Sequence, residues 1–292
     1  MIVETRRLTK KYGATTALDA VDLAVPEHCV YGLVGLNGAG KTTLLSILAG
    51  LRRPTSGDVI RGAGAAEWAM CPDSPVFEPW LSAEEVVRLA GTLAGTRPTE
   101  DRVSSLLHEA GLATASARHV GGFSRGMTQR LAVAATIVTE PRLVVLDEPC
   151  SALDPAGRVE VLDLVRRAAQ DATVIFSSHV LADVQRVCDV VGVLDGGRLV
   201  FQGPLTELLT HYARDAWRVI VRDGGAAAAA AIDQAGWSRN VTVAGDVIRF
   251  EASARDAAER EIAAVLAAAG ASLVAFEPEE ADLEAVFLEM TR

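Results

Sequence analysis

Residues 29–50 read CVYGLVGLNGAGKTTLLSILAG: a short apolar run, then the octet GLNGAGKT from Gly35 to Thr42, then a helical run that opens at Lys41. The octet fits G-x-x-x-x-G-K-T, and the strand before it and the helix after it are the context which that phosphate-binding motif requires. Few features constrain a chain more. The loop works only if a strand delivers it and a helix N-terminus closes it, so that backbone N–H groups from about Gly38 to Thr43 wrap an anion. Gly35, Leu36, Asn37, Gly38, Ala39, Gly40, Lys41, Thr42 and Thr43 are therefore the expected nucleotide contacts. Lys41 is placed for the β- and γ-phosphates and Thr42 for Mg²⁺.

A second constellation lies about a hundred residues on. RLVVLDEP and ATVIFSSH are short β-branched runs too apolar for a surface strand, and they fit buried parallel strands with helices between them. The first ends in two carboxylates. Asp147 is placed to hold Mg²⁺, and Glu148, one residue further, points elsewhere and can polarise an attacking water. His179 ends the second run, where it either hydrogen-bonds a γ-phosphate or is an ordinary surface histidine. Between loop and carboxylates, FSRGMTQRLAVA, residues 123–134, opens on small polar residues and becomes an apolar helix. Its N-terminus is a second anion cradle.

The remainder sorts into blocks. Residues 1–34 read as the strands IVETRRL, TALDAVDLAV and CVYGLVG, and Pro54–Gly57 reads as a turn. Helices dominate 81–139, with a capping box at Ser82 and Glu85, a staple of Leu81 on Val86, and a helix from Thr99 that stops at Gly111. After about residue 205 the composition shifts toward alanine. The order there is strand WRVIVRD, helix AAAAAIDQAG, strands VTVAG and VIRFEA, helix ARDAAEREIAAVLAAAG, strand SLVAFE and helix DLEAVFLEM. That order suits a small ferredoxin-like α/β sandwich, although alanine tracts read equally as helix or linker.

A net charge of −10 argues against nucleic acid held by bulk electrostatics, and against docking on an anionic membrane by charge alone. Cys29, Cys71, Cys150 and Cys188 form no C-x-x-C pair and read as free thiols. The opening MIVETRRLTKKYG reads as a polar strand rather than a signal peptide, and no apolar run reaches the roughly 18 residues of a membrane helix.

Taken in order, the phosphate loop, FSRGM, LVVLDEP, SALD (Ser151–Asp154) and SSH resemble the ATP-binding subunits of ABC transporters. The resemblance spans roughly residues 1–210. It matches FSRGM to the family's signature Leu-Ser-Gly-Gly-Gln, keeping Ser124 and Gly126 and departing at Arg125 and Met127; it matches SALD to the D-loop and Tyr12 to an aromatic that stacks on adenine. It implies that two nucleotide domains pack head to tail, Ser124 and Gly126 of one closing on the ATP of the other, in a dimer of like chains. Asp73 stands in MCPDSPVF where the family usually has Gln; it keeps an oxygen ligand for Mg²⁺ but adds negative charge near a triphosphate. Cys150, directly after the acids, is expected at the dimer face and open to thiol reagents. MCPDSPVFEPWLSAEE and the closing ADLEAVFLEMTR are similar to the drug- and antibiotic-exporter subgroup.

The expected fold is α/β. It comprises an ATP-binding domain over 1–211, a P-loop NTPase core with N-terminal antiparallel strands and a helical subdomain at about 78–140, followed by a small accessory α/β domain over 212–292. The expected function is ATP hydrolysis powering export through a separate transmembrane permease, from the cytoplasmic face of the membrane, with ATP and Mg²⁺ as cofactors and no direct nucleic-acid binding. The alternative is a non-transport ABC ATPase acting on nucleic acid or ribosomes; those usually carry two nucleotide domains, a long coiled coil or a zinc insertion. A P-loop kinase or GTPase explains neither FSRGMTQR nor His179, and the chain has no N-K-x-D.

Overall fold

The computed structural model describes the chain except for residues 63–67, 152, 213–215, 279–282, 284–286, 288–289 and 291–292, and for 210–212 and 255 it describes the backbone only. The chain separates into two compact units, Met1–Leu205 and Thr206–Met290. In the first, β1 (Val3–Tyr12), β2 (Thr15–Val21), β3 (Ala24–Val25) and β4 (Val30–Val34) lead to α1 (Lys41–Leu48). β5 (Ser56–Arg61) and β6 (Trp68–Cys71) precede three helices, α2 (Ala83–Leu93), α3 (Glu100–Glu109) and α4 (Arg125–Ile137). The unit then alternates: β7 (Leu143–Leu146), α5 (Pro155–Ala168), β8 (Thr173–Ser178), α6 (Leu181–Val187), β9 (Val190–Asp195) and β10 (Arg198–Pro204).

The central sheet runs β10-β9-β4-β8-β7-β6. It is parallel except for the edge strand β10, which returns antiparallel to β9. Every residue of β4, β7 and β8 is buried, which is why these strands read as unbroken apolar runs: both sheet faces are covered. The N-terminal strands form a separate antiparallel sheet in which β1 pairs with β2, β3 and β5. Here the structure corrects the local sequence reading. TALDAVDLAV is split into β2 and β3, and the second half of the Pro54–Gly57 segment is strand, because Ser56 pairs with Thr9.

The helical segment is inserted between the adjacent strands β6 and β7. Ser82 caps α2 with the expected box: its Oγ accepts from the Glu85 N–H at 3.3 Å, and Glu85 Oε2 accepts from the Ser82 N–H at 2.7 Å. Thr99 caps α3, which ends at Gly111 with φ 65°. Ser124 caps α4, its Oγ accepting from the Met127 N–H at 3.3 Å.

In the second unit α7 (Leu205–Tyr212) is followed by β11 (Ala216–Val221), α8 (Gly225–Asp233), β12 (Ser238–Ala244), β13 (Val247–Ala252), α9 (Arg255–Ala268) and β14 (Leu273–Pro278). The antiparallel order β12-β13-β11-β14 is that of a ferredoxin-like sandwich. Alternation sends Trp217, Val219, Val221, Ile248 and Phe250 into a core with Ala228, Ile232, Ile262 and Leu266 of α8 and α9. The alanine tracts are thus helices with a buried stripe rather than linkers. The closing DLEAVFLEM lies mostly outside the described residues.

Candidate functional site

The loop after β4 is shaped by contacts only glycine tolerates. A Cβ on Gly35 would sit 2.4 Å from the Leu194 carbonyl oxygen, and one on Gly40, at φ 106°, would sit 2.5 Å from that of Ala17. Gly40 is also the N-cap of α1 and offers no capping side chain, so the first N–H groups of the helix stay bare. Leu36, Asn37, Gly38, Gly40, Lys41, Thr42 and Thr43 line a cavity of about 480 Å³. Asp73, Arg125, Glu148, Ser151 and His179 line it too.

The two sets of residues meet through charge. The Lys41 ammonium is 6% exposed; it donates to the Gly35 carbonyl oxygen at 2.6 Å and lies 3.1 Å from Glu148 Oε1. The other Glu148 oxygen, Oε2, is 2.7 Å from His179 Nδ1. Glu148 is held in place by an uncommon backbone: its φ is +46°, and its N–H donates to the Ser177 hydroxyl oxygen at 2.8 Å. Of the two consecutive acids, Glu148 lines the cavity and Asp147 is not among the residues of its wall.

Asp147 is 2% exposed and accepts from the Ser177 hydroxyl at 2.7 Å. Burial pushes its carboxyl above the ordinary range, hydrogen bonds from Ser177 and Thr42 hold it down, and the nearby Glu148 and Asp73 carboxylates push it up further. A buried carboxylate beside a threonine hydroxyl is a hard-oxygen pair that suits Mg²⁺, which binds few protein oxygens and completes its shell with phosphate and water. Among the described residues no group of three or more His, Cys, Asp or Glu is placed to hold a metal by itself.

Asp73 follows β6, whose Cys71 pairs with Leu146 of β7, so Asp73, Asp147 and Glu148 all leave the same C-terminal edge of the sheet. Asp73 Oδ1 accepts from the Ser151 hydroxyl at 2.7 Å. Tyr12 lies outside the cavity wall, at the end of β1. Its hydroxyl oxygen accepts from Arg52 Nη1 at 3.0 Å, and the Lys10 ammonium is 5.1 Å from its ring centre. Gly35 and Ala39 shape the loop from behind. Ser124 and Gly126 are also outside the wall; a Cβ on Gly126 would meet only Leu153 Cδ2, at 3.8 Å.

Sequence reasoning missed Ser177, which ties both acids to β8, and the place of Arg125 in the wall. The serine before SH was visible but read as strand. Cys150 is a correction. It is 5% exposed, and burial, with Asp183 and Glu148 nearby, pushes its thiol up to about 12, so it is neither open nor reactive. All four cysteines are free and buried.

Residues 18–151 match the family model described as ABC transporter. The chain is 38% identical over 222 residues to the uncharacterized ABC transporter ATP-binding protein YxlF of Bacillus subtilis (strain 168), covering 74% of this chain and 75% of that one. It is 36% identical to the daunorubicin resistance ATP-binding protein DrrA3 of Streptomyces coeruleorubidus, covering 76% and 74%. A solved structure of the ATP-binding subunit of an ABC transporter superposes with a TM-score of 0.64 at 30% identity, covering 73% of this chain and 93% of that one.

Proposed function

Because the chain belongs to the ATP-binding proteins of ABC transporters, we propose that it binds and hydrolyses ATP to drive export of a small molecule through a separate membrane permease. The observation that carries this is the convergence of Lys41, Thr42, Glu148 and His179 on one cavity at the carboxyl edge of a parallel sheet, with the buried Asp147 hydrogen-bonded to Thr42 of its wall. The bare N–H groups of α1 and Lys41 take the phosphates. Thr42 and Asp147, with Asp73 beyond them, would hold Mg²⁺, which would supply charge neutralisation for the phosphates. Glu148 accepts a proton from the attacking water, and His179 fixes its carboxylate through the 2.7 Å contact before turning to the γ-phosphate. Tyr12 stacks on adenine beyond the cavity mouth.

Ser124 and Gly126 cap the γ-phosphate of a second copy packed head to tail, because their side of the α4 N-terminus is not part of their own chain's cavity. The permease docks at the roughly 300 Å³ groove lined by Met70, Pro72, Pro75, Val76, Phe77 and Ala90, whose Pro72 directly precedes Asp73. Val76 is 89% exposed there. No helix among the described residues is long and apolar enough to cross a membrane, so this docking supplies the chain's membrane attachment at the cytoplasmic face. Residues 1–211 form the ATP-binding domain; 212–292 form an accessory domain that tunes dimer contact or coupling.

A resistance-linked relative is the observation that favours export over action on nucleic acid. The test is co-expression with a candidate permease, sought among the coding sequences adjacent to this one. ATPase activity that rises with the permease in liposomes supports the assignment; activity stimulated by RNA or ribosomes instead would overturn it.

A further inference from the structure

Two of the positions that depart from the family pattern are charged: Arg125 in the signature turn and Asp73 after β6. They are 52 residues apart in sequence, yet one side chain joins them. The Ser151 hydroxyl donates to Asp73 Oδ1 at 2.7 Å, and its oxygen accepts from Arg125 Nη2 at 3.4 Å. A hydroxyl can donate and accept at once, so the polarity of this bridge is consistent from guanidinium to carboxylate. All three residues line the phosphate cavity.

The charge balance of that wall gives the bridge its purpose. Asp73 and Glu148 put two carboxylates in the wall of a cavity proposed for a triphosphate, and the buried Asp147 lies close to both. Lys41 answers Glu148 at 3.1 Å. Among the described residues Asp73 accepts otherwise only from the Ser74 hydroxyl, at 3.2 Å, and no cation forms an ion pair with it. Arg125, one hydroxyl away, is the cation that its bonded partners lead to.

We propose that Arg125 is a positioning residue for its own chain's nucleotide, offsetting and aiming the Asp73 carboxylate through Ser151. The two departures are then one charge pair: the carboxylate that replaces an amide is matched by the guanidinium that replaces a glycine. α4 serves two sites. Its Ser124–Gly126 backbone turns toward a partner, and its Arg125 side chain turns back to the loop that begins in the same subunit. This inference rests on the proposal that the cavity binds ATP.

The experiment is a double-mutant cycle on the full chain, read as the affinity for trinitrophenyl-ATP in EDTA, where no metal takes part. Arg125→Ala should weaken binding about fivefold or more, the size expected of groups in one hydrogen-bonded network. Arg125→Lys, which keeps the charge but not the fork, should recover most of that loss. In an Asp73→Asn background the same Arg125→Ala change should cost less than twofold. Equal losses in both backgrounds, or no loss with Asp73 intact, would overturn the pairing. No binding by the unmodified chain would overturn the ATP assignment beneath it.

Discussion

Lys41 Nζ and Glu148 Oε1 lie 3.1 Å apart, with side chains 6% and 13% exposed. The group meant for a phosphate is thus held by the group meant for water. A buried ion pair of this kind is costly to break by removing one partner, since the other charge is left desolvated. On the roles proposed above, an incoming phosphate would displace Glu148 from Lys41 and so couple nucleotide entry to release of the base.

Glu148→Gln should lower ATP turnover by about 10²–10⁴-fold, the usual worth of a positioned base. Binding should be equal or tighter, because a neutral amide competes less well for Lys41. Steady-state hydrolysis and nucleotide titration on the same preparation check both halves. Wild-type turnover in the variant would remove Glu148 from the base role.

Lys41→Ala should act on binding itself. Affinity for ATP is expected to fall more than affinity for ADP, because the ammonium is placed for the β- and γ-phosphates. Competition binding with the two nucleotides gives the ratio.

Cys150 should resist thiol reagents in the native protein. With the thiol pushed up to about 12 by burial, the thiolate fraction at neutral pH is very small, and it grows tenfold per pH unit up to that value. Mass spectrometry after N-ethylmaleimide treatment should find residue 150 labelled in urea but not in buffer. Fast native labelling would contradict the burial seen here.

Removing residues 212–292 should leave ATP affinity within about twofold, since every residue lining the cavity lies in the first unit. Affinity and thermal unfolding of the shortened chain are the measurements. A folded but non-binding product would show that the second unit contributes to the site.

Mixing Lys41→Ala with Gly126→Asp should restore ATPase activity that neither has alone, if like chains pair head to tail. Among the described residues a Cβ at 126 would meet only Leu153 Cδ2, at 3.8 Å, an ordinary contact, so the first atom of a side chain has room there. The introduced carboxylate would face a partner's γ-phosphate, where like charges repel. Activity should track the fraction of mixed dimers measured by cross-linking, and its absence despite such dimers would assign the signature turn to its own chain.

The sequence by itself determined the phosphate loop, the carboxylates of Asp147 and Glu148, the caps at Ser82 and Thr99, and the α/β character of the core. These are local. A glycine loop, a cap or a buried run is set by residues adjacent in the chain, and its pattern survives without knowledge of neighbours. The ferredoxin-like order was legible for the same reason, but whether the alanine tracts were helix or linker was not, because only a sheet beneath them gives alanine something to bury against. Tertiary structure decided the rest. Ser151 meets Asp73 because β6 and β7 run parallel with Cys71 opposite Leu146, and because a left-handed Glu148 turns the chain back. Lys41 meets Glu148, Arg125 enters the wall, and Cys150 is sealed from solvent through the same long-range packing. Strand register and one backbone dihedral fix which side chains share a cavity, and neither is written in the spacing of residues along the chain.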